Sequence, residues 1–138
     1  MFGLSISSYH RYVDLPLDKF KLMKYKIYIL DLNWNYLFVN DVVLADLPNT
    51  NRDLIGLNMW TVFKELQKDP TFQQMKLDIE NRKEVNVTTV SPLTRKRLRI
   101  FGWPLEDCYL FTVSTLPDKQ ELLNELRSLL NKVAPPGE

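Results

Sequence analysis

The chain has 138 residues, 45% of them hydrophobic and 25% charged, with 18 Lys plus Arg against 17 Asp plus Glu. A chain of this size forms one domain with an appended helix. It buries roughly 65–70% of the surface that it exposes when unfolded, so it needs neither disulfides nor a structural metal. The net charge of +1 argues against non-specific binding to nucleic acid or to an anionic membrane.

Residues 1–16 are polar and aromatic and end at Pro16. LDKFKLMK (17–24) reads as a short helix presenting Leu17 and Phe20, together with Leu22 or Met23. IYILDLNWNYLFVN (27–40) reads as two strands, 25–31 and 36–40, joined at LNWN. Asn tolerates the left-handed backbone that a tight turn requires. A half-buried hairpin alternates apolar and polar residues. Here both faces are apolar: Ile27 and Ile29 lie opposite Tyr28 and Leu30, and Tyr36 and Phe38 opposite Leu37 and Val39. The second face therefore needs a cover.

Asn40 or Asp41 caps two helical turns in VVLADL, and PNTNRD is a loop. Asn58 caps a short helix carrying Trp60, Phe63 and Leu66. Asp69–Pro70 opens a longer helix with Pro in the first turn. Phe72, Met75 and Ile79 recur on one face of that helix, and Leu77 lies off it. Strands follow at 84–90, 97–105 and 108–114, the first of them polar enough on one side for a sheet edge. The last element, LPDKQELLNELRSLLNKV, is an amphipathic helix with Leu122, Leu126, Leu129 and Val133 at four, three and four. APPGE is a frayed tail.

Two groups of strands separated by helices imply an α+β fold, one antiparallel sheet with helices on one face. The segments divide into an N-terminal arm and short helix (1–24), a central domain (25–115), a coiled-coil-like helix (116–134) and a tail (135–138).

From about 25 to 130 the chain resembles a PAS domain, a small sensory module of signalling proteins. LDLNWNYLFVN resembles the first hairpin of that family. LIGLNMW resembles its glycine-led entry to the short middle helix, with Gly56 in the glycine position. TTVSPLTRKRLRIFGWPLEDCYLFTVS resembles its last three strands, with Pro104–Leu105 as the pair before the final one. The resemblance implies a five-stranded antiparallel sheet with the first hairpin at its centre. It also implies a long helix across one face and a small cavity between them; Trp60, Phe63, Met75, Ile79, Phe101 and Phe111 are the candidate lining, and the alternative is that they simply fill a core without a ligand. Trp34 stands where the turn often has Gly, so Asn33 or Asn35 is expected to take the special backbone conformation. Ser114–Thr115–Leu116 replaces the Asp-Ile-Thr signature, and no output domain follows, so the chain is either free-standing or a piece of a larger sensor.

No residue set points to catalysis. His10 is the only histidine, and it sits among polar residues in SSYHRY. Cys108 is the only cysteine, which excludes an intrachain disulfide and a cysteine-based metal cluster, fits a reducing cytoplasmic setting, and has no basic neighbour to activate it. The resemblance implies no metal site and no cofactor. The long helix lacks the histidine of haem-binding members, Met75 reads as packing, and Met59 stands where flavin-binding light sensors carry cysteine, which excludes that photochemistry at this position. The basic run TRKRLR (94–99) reads as a solvated hairpin tip. MFGLSISSYHRYVDLP is not a signal peptide, and no run of about 18 apolar residues spans a membrane.

The expected function is a non-catalytic sensory or protein-interaction module. It dimerises through Leu122, Leu126 and Leu129, with Tyr28 and Leu30 as further candidate contacts, and partners an output domain or protein on another chain. The alternative is a small-molecule binding protein that holds an apolar ligand in its cavity, without nucleic acid. The second hairpin face is expected to be covered by Leu17–Met23, the N-terminal arm or the C-terminal helix, from this copy or another.

Overall fold

A computed structural model of the chain describes residues 10–45, 53–117 and 119–132. Its helices are α1 (Leu17–Lys21), α2 (Asp41–Ala45), α3 (Met59–Val62), α4 (Pro70–Glu80) and α5 (Lys119–Lys132). Its strands are β1 (Lys26–Asp31), β2 (Tyr36–Val39), β3 (Val85–Val90), β4 (Arg97–Pro104) and β5 (Cys108–Thr115). Short 3-10 helices occupy Tyr12–Asp14 and Lys64–Lys68. The sheet is five-stranded in the order β2-β1-β5-β4-β3, with antiparallel neighbours throughout.

The expected α+β architecture is present, with one change of position. The middle strand is β5; β1 is interior and β2 is an edge, so the opening hairpin is not the centre of the sheet. β3 is the other edge, as its polar outer face predicts. Asn58 and Asp69 cap α3 and α4 as expected. Asn58 Oδ1 accepts from the backbone N–H of Trp60 and Thr61, and Asp69 Oδ1 from Thr71 and Phe72.

The two faces of the sheet build two separate cores. Leu30, Tyr36, Ile100, Tyr109, Phe111 and Val113 pack under α3 and α4 with Trp60, Met75 and Ile79. Ile27, Ile29, Cys108 and Leu110 lie on the outer face, beneath Phe20 of α1 and with Tyr12, Leu15 and Leu17 against them. The cover of the second face is thus the N-terminal segment of the same chain. Phe20 is 6% exposed, whereas Leu22 is 84% exposed and takes no part. The Tyr12 hydroxyl donates to the Leu37 carbonyl of β2, and its N–H donates to Asp107 Oδ1 just before β5, which ties the segment to the strands on either side of β1.

Simple alternation fails in β2. Tyr28 pairs with Val39 and Ile29 with Phe38, but Leu30 pairs with Tyr36, so Leu37 is an extra residue at a β-bulge. Tyr36 and Val39 therefore belong to the inner core, and Leu37 and Phe38 to the outer one.

The turn before β2 holds a second departure. Trp34 itself, not Asn33 or Asn35, adopts the left-handed conformation, at φ 67°. This costs an L-residue roughly 1–2 kcal/mol. Burial offsets it: Trp34 is 4% exposed, edge-on to Trp60 with ring centroids 5.2 Å apart and tilted on Tyr109 at 4.9 Å. Asp31 closes the turn by accepting from the N–H of Asn33 and of Asn35.

Asn40 caps α2 and also joins the layers. It is fully buried, and its Oδ1 accepts from the N–H of Ile27 and Val43. Its Nδ2 donates to the carbonyls of Phe20 and Tyr25. Gly102 faces Phe111 across the sheet, and a Cβ there would come within 2.6 Å of the Phe111 ring.

Candidate functional site

A cavity of about 110 Å³ opens between the inner face of the sheet and the short helices. β1 contributes Lys26 and Tyr28, and β2 contributes Tyr36. Leu98 and Ile100 of β4 and Val113 of β5 complete the floor. Val43 of α2, Phe63, Leu66 and Phe72 of α4 form the wall, and Ser91, Leu93 and Thr94 form the rim. The lining is predominantly apolar, with a few polar tips, as ligand pockets generally are.

Among the candidate lining residues, Phe63 borders this cavity. Trp60, Met75, Ile79 and Phe111 are buried in the core beside it, where they pack with Trp34 and Tyr109 instead of bordering open space. Phe101 belongs to the other face. The register pairs it with Thr112, so it points away from the inner core. It stacks on Trp103 with ring centroids 6.1 Å apart, and the Arg99 guanidinium carbon sits 5.1 Å from its ring centroid. The Trp60 Nε1 is buried and has no hydrogen-bond partner among the described residues.

Two of the candidate dimer contacts are corrected by the same register. Leu30 is fully buried in the inner core, and the Tyr28 ring stacks on Phe111 at 5.2 Å and lines the cavity, so neither presents a surface to a second copy. Sequence reasoning also missed Tyr36, Leu66 and Phe72 as lining. The available signal was a pair of tyrosines among aliphatic strand residues, an apolar ring with a polar tip at positions that both face inward.

Burial pushes the Tyr28 phenol well above its ordinary value. The Tyr36 phenol is also raised, by burial first and then by the neighbouring Tyr28. Their rings meet edge-on with centroids 6.1 Å apart. Both stay protonated across the physiological range and present O–H donors.

A second candidate site lies on α5. Leu126 is 47% exposed and Leu129 57% exposed, and Leu123 and Leu130 are exposed beside them. The side chain of Leu122 lies outside the described residues. In the run at 94–99, Arg97 and Arg99 are exposed on the outer face of β4, where Arg99 donates to Asn86 Oδ1 at 3.1 Å. Among the described residues no group of His, Cys, Asp and Glu is placed to hold a metal ion, and no helix is long and apolar enough to cross a membrane.

No family model matches the sequence, and neither does any curated protein. Solved structures do. The PAS domain of Bordetella pertussis BvgS superposes with a TM-score of 0.56 at 14% identity, covering 84% of this chain and 97% of that one. The fold is that of a PAS domain. The PAS domain of the Cronobacter turicensis quorum-sensing receptor RpfR, solved in complex with BDSF, matches at 0.53 and 15% identity, covering 69% of this chain and 96% of that one. An RNA-binding light-oxygen-voltage receptor matches at 0.60 and 14% identity. It covers 95% of this chain, which spans 41% of the receptor. The PAS resemblance read from the hairpin, the glycine-led helix entry and the last three strands is therefore correct at the level of fold.

One expectation is overturned by these comparisons. The absence of a cofactor, with flavin photochemistry excluded at Met59, does not hold, because light-oxygen-voltage receptors share this PAS fold. Met59 is 4% exposed in the inner core and does not border the cavity. Its identity therefore cannot decide what the cavity takes.

Proposed function

We propose that this PAS domain is a non-catalytic sensory module of cytoplasmic signal transduction that dimerises through its C-terminal helix. A ligand in the cavity, or a protein partner or output domain on another chain, biases how the terminal helices pack. The observation that carries the reading is the run of exposed leucines on α5, above all Leu126 and Leu129, on a helix of 14 residues. Isolated helices of about 12–15 residues are marginal in water, so such a helix gains from a partner surface. Leu122, Leu126 and Leu129 are the anchors of the proposed pairing. Light scattering at micromolar concentration is expected to give a dimer, and Leu126→Asp a monomer with unchanged sheet signal in circular dichroism. A wild-type monomer throughout that range would sink the reading, as would loss of the whole fold in the variant.

A second reading, a small-molecule binding protein in which dimerisation is incidental, is favoured by the cavity between Tyr28, Tyr36 and Phe72. Native mass and absorbance of the purified protein discriminate. A mass excess or a chromophore band on a monomer supports the carrier, and a colourless dimer of the bare chain mass supports the interaction module.

A further inference from the structure

The polar groups that line the cavity differ in what they are doing. Ser91 Oγ accepts from the N–H of Leu93 and Thr94, and Thr94 Oγ1 accepts from Lys96. Lys26 already has an interaction of its own. The hydroxyls of Tyr28 and Tyr36 make no hydrogen bond with any described residue, and both tyrosines line the same cavity with their rings edge-on to each other. Hydroxyls on the lining of an apolar cavity that no protein acceptor takes up are open to a bound molecule.

We propose that Tyr28 and Tyr36 are the recognition pair of this cavity, and that they take a small uncharged molecule with a carbonyl-type acceptor oxygen on an apolar body. The proposal rests on the reading of the cavity as a ligand site. Two donors facing one space call for an oxygen that accepts twice, which a carbonyl does with its two lone pairs. Size limits the body: a cavity of about 150 Å³ takes benzene, so one of about 110 Å³ takes a molecule of similar or smaller bulk. Charge is disfavoured because a carboxylate entering this predominantly apolar lining loses its hydration, and Lys26, the one cation of the lining, already has an interaction of its own. The raised phenol titrations point the same way, since they reflect an environment that solvates anions poorly.

The test uses cyclopentanone and its isostere methylenecyclopentane, in which C=CH₂ replaces C=O, followed by backbone NMR shifts of Val43, Ile100 and Val113. Cyclopentanone is expected to bind saturably. Tyr28→Phe and Tyr36→Phe are each expected to weaken it by about three- to tenfold, the value of one hydrogen bond, while leaving the isostere unchanged. As a measurement that needs no variant, the Cζ shift of ¹³C-labelled tyrosine is expected to move with the ketone and not with the isostere. If both probes bind and neither the variants nor the Cζ shift separate them, the tyrosine pair is refuted and the cavity reading stands. If cyclopentanecarboxylate binds more tightly than the ketone, the uncharged-ligand assignment is refuted. If no probe shifts the lining residues, the cavity reading falls together with the proposal.

Discussion

The indole nitrogen of Trp34 donates a 2.8 Å hydrogen bond to Oε2 of Glu80, tying the β1–β2 turn to the last turn of α4. Lys76 reaches the same oxygen at 2.9 Å. Desolvation raises the Glu80 carboxyl, but the hydrogen bonds from Lys76 and Trp34 and the Lys76 charge outweigh it, and the group titrates below its ordinary 4.5. A carboxyl depressed in the folded state adds stability above its unfolded value and loses it as pH falls through its folded value. Glu80→Gln keeps an acceptor for Trp34 and removes this titration. Urea unfolding at pH 7 and about pH 3 is expected to show a shallower acid loss in the variant. An equal loss in both proteins would refute the linkage.

Asn40 offers a sharper stability test. Asn40→Ala removes its side-chain hydrogen bonds and leaves the Ile27 N–H without its side-chain acceptor in a fully buried site. The expected cost is about 3 kcal/mol in denaturant unfolding. Asn40→Asp keeps Oδ1 but sets a second acceptor against the Phe20 and Tyr25 carbonyls, so it is expected to be no milder. A near-neutral Asp variant would show that the Nδ2 contacts contribute nothing.

Phe20 closes the outer core over Ile27, Ile29 and Leu110. Phe20→Ala is expected to cost about 3 kcal/mol and to raise binding of an apolar fluorescent dye, because the outer face of the sheet is uncovered. Unchanged dye binding would mean that Tyr12, Leu15 and Leu17 suffice as the cover.

Cys108 lies fully buried beneath that cover. Burial first, and then the charge and hydrogen bond of Asp107, push its thiol up to about 12 against the opposing Arg82 charge. The thiolate is the reactive form, so a disulfide reagent at pH 8 is expected to label the native protein only at the rate at which it opens, and the urea-unfolded chain at once. Labelling of the native protein as fast as the unfolded one would place the thiol at the surface.

Much of this was legible because local chemistry decided it. Pro70 behind Asp69 starts α4 wherever the helix then packs, and Phe72, Met75 and Ile79 are buried while Leu77 is 54% exposed, as the helical period requires. The two-sided hairpin announced a second core, and α1 supplies its cover. Strand faces were harder to read. Nothing within RLRIFGWPL says whether Ile100 or Phe101 turns inward; pairing of Phe101 with Thr112 and of Ile100 with Val113 decides it. The bulge at Leu37 likewise moves Tyr36 inward by a backbone event that no alternation pattern encodes. The cavity was misplaced for a related reason. The large side chains at Trp60, Met75 and Phe111 fill the centre, and open space is left where the smaller Val43, Leu98 and Val113 meet.

The cover over the outer sheet face has a consequence for the order of assembly. Its parts, Tyr12 to Phe20, leave the ribosome well before Leu105, Cys108 and Leu110, against which they pack and which emerge only after α2, α3, α4 and β4. Such distant pairings form late because loop closure must be met before the contact rewards it. During synthesis the segment is therefore a hydrophobic strap waiting for its buckle, and in the finished fold the Asn40 side chain links its Phe20 carbonyl to the Ile27 N–H of β1.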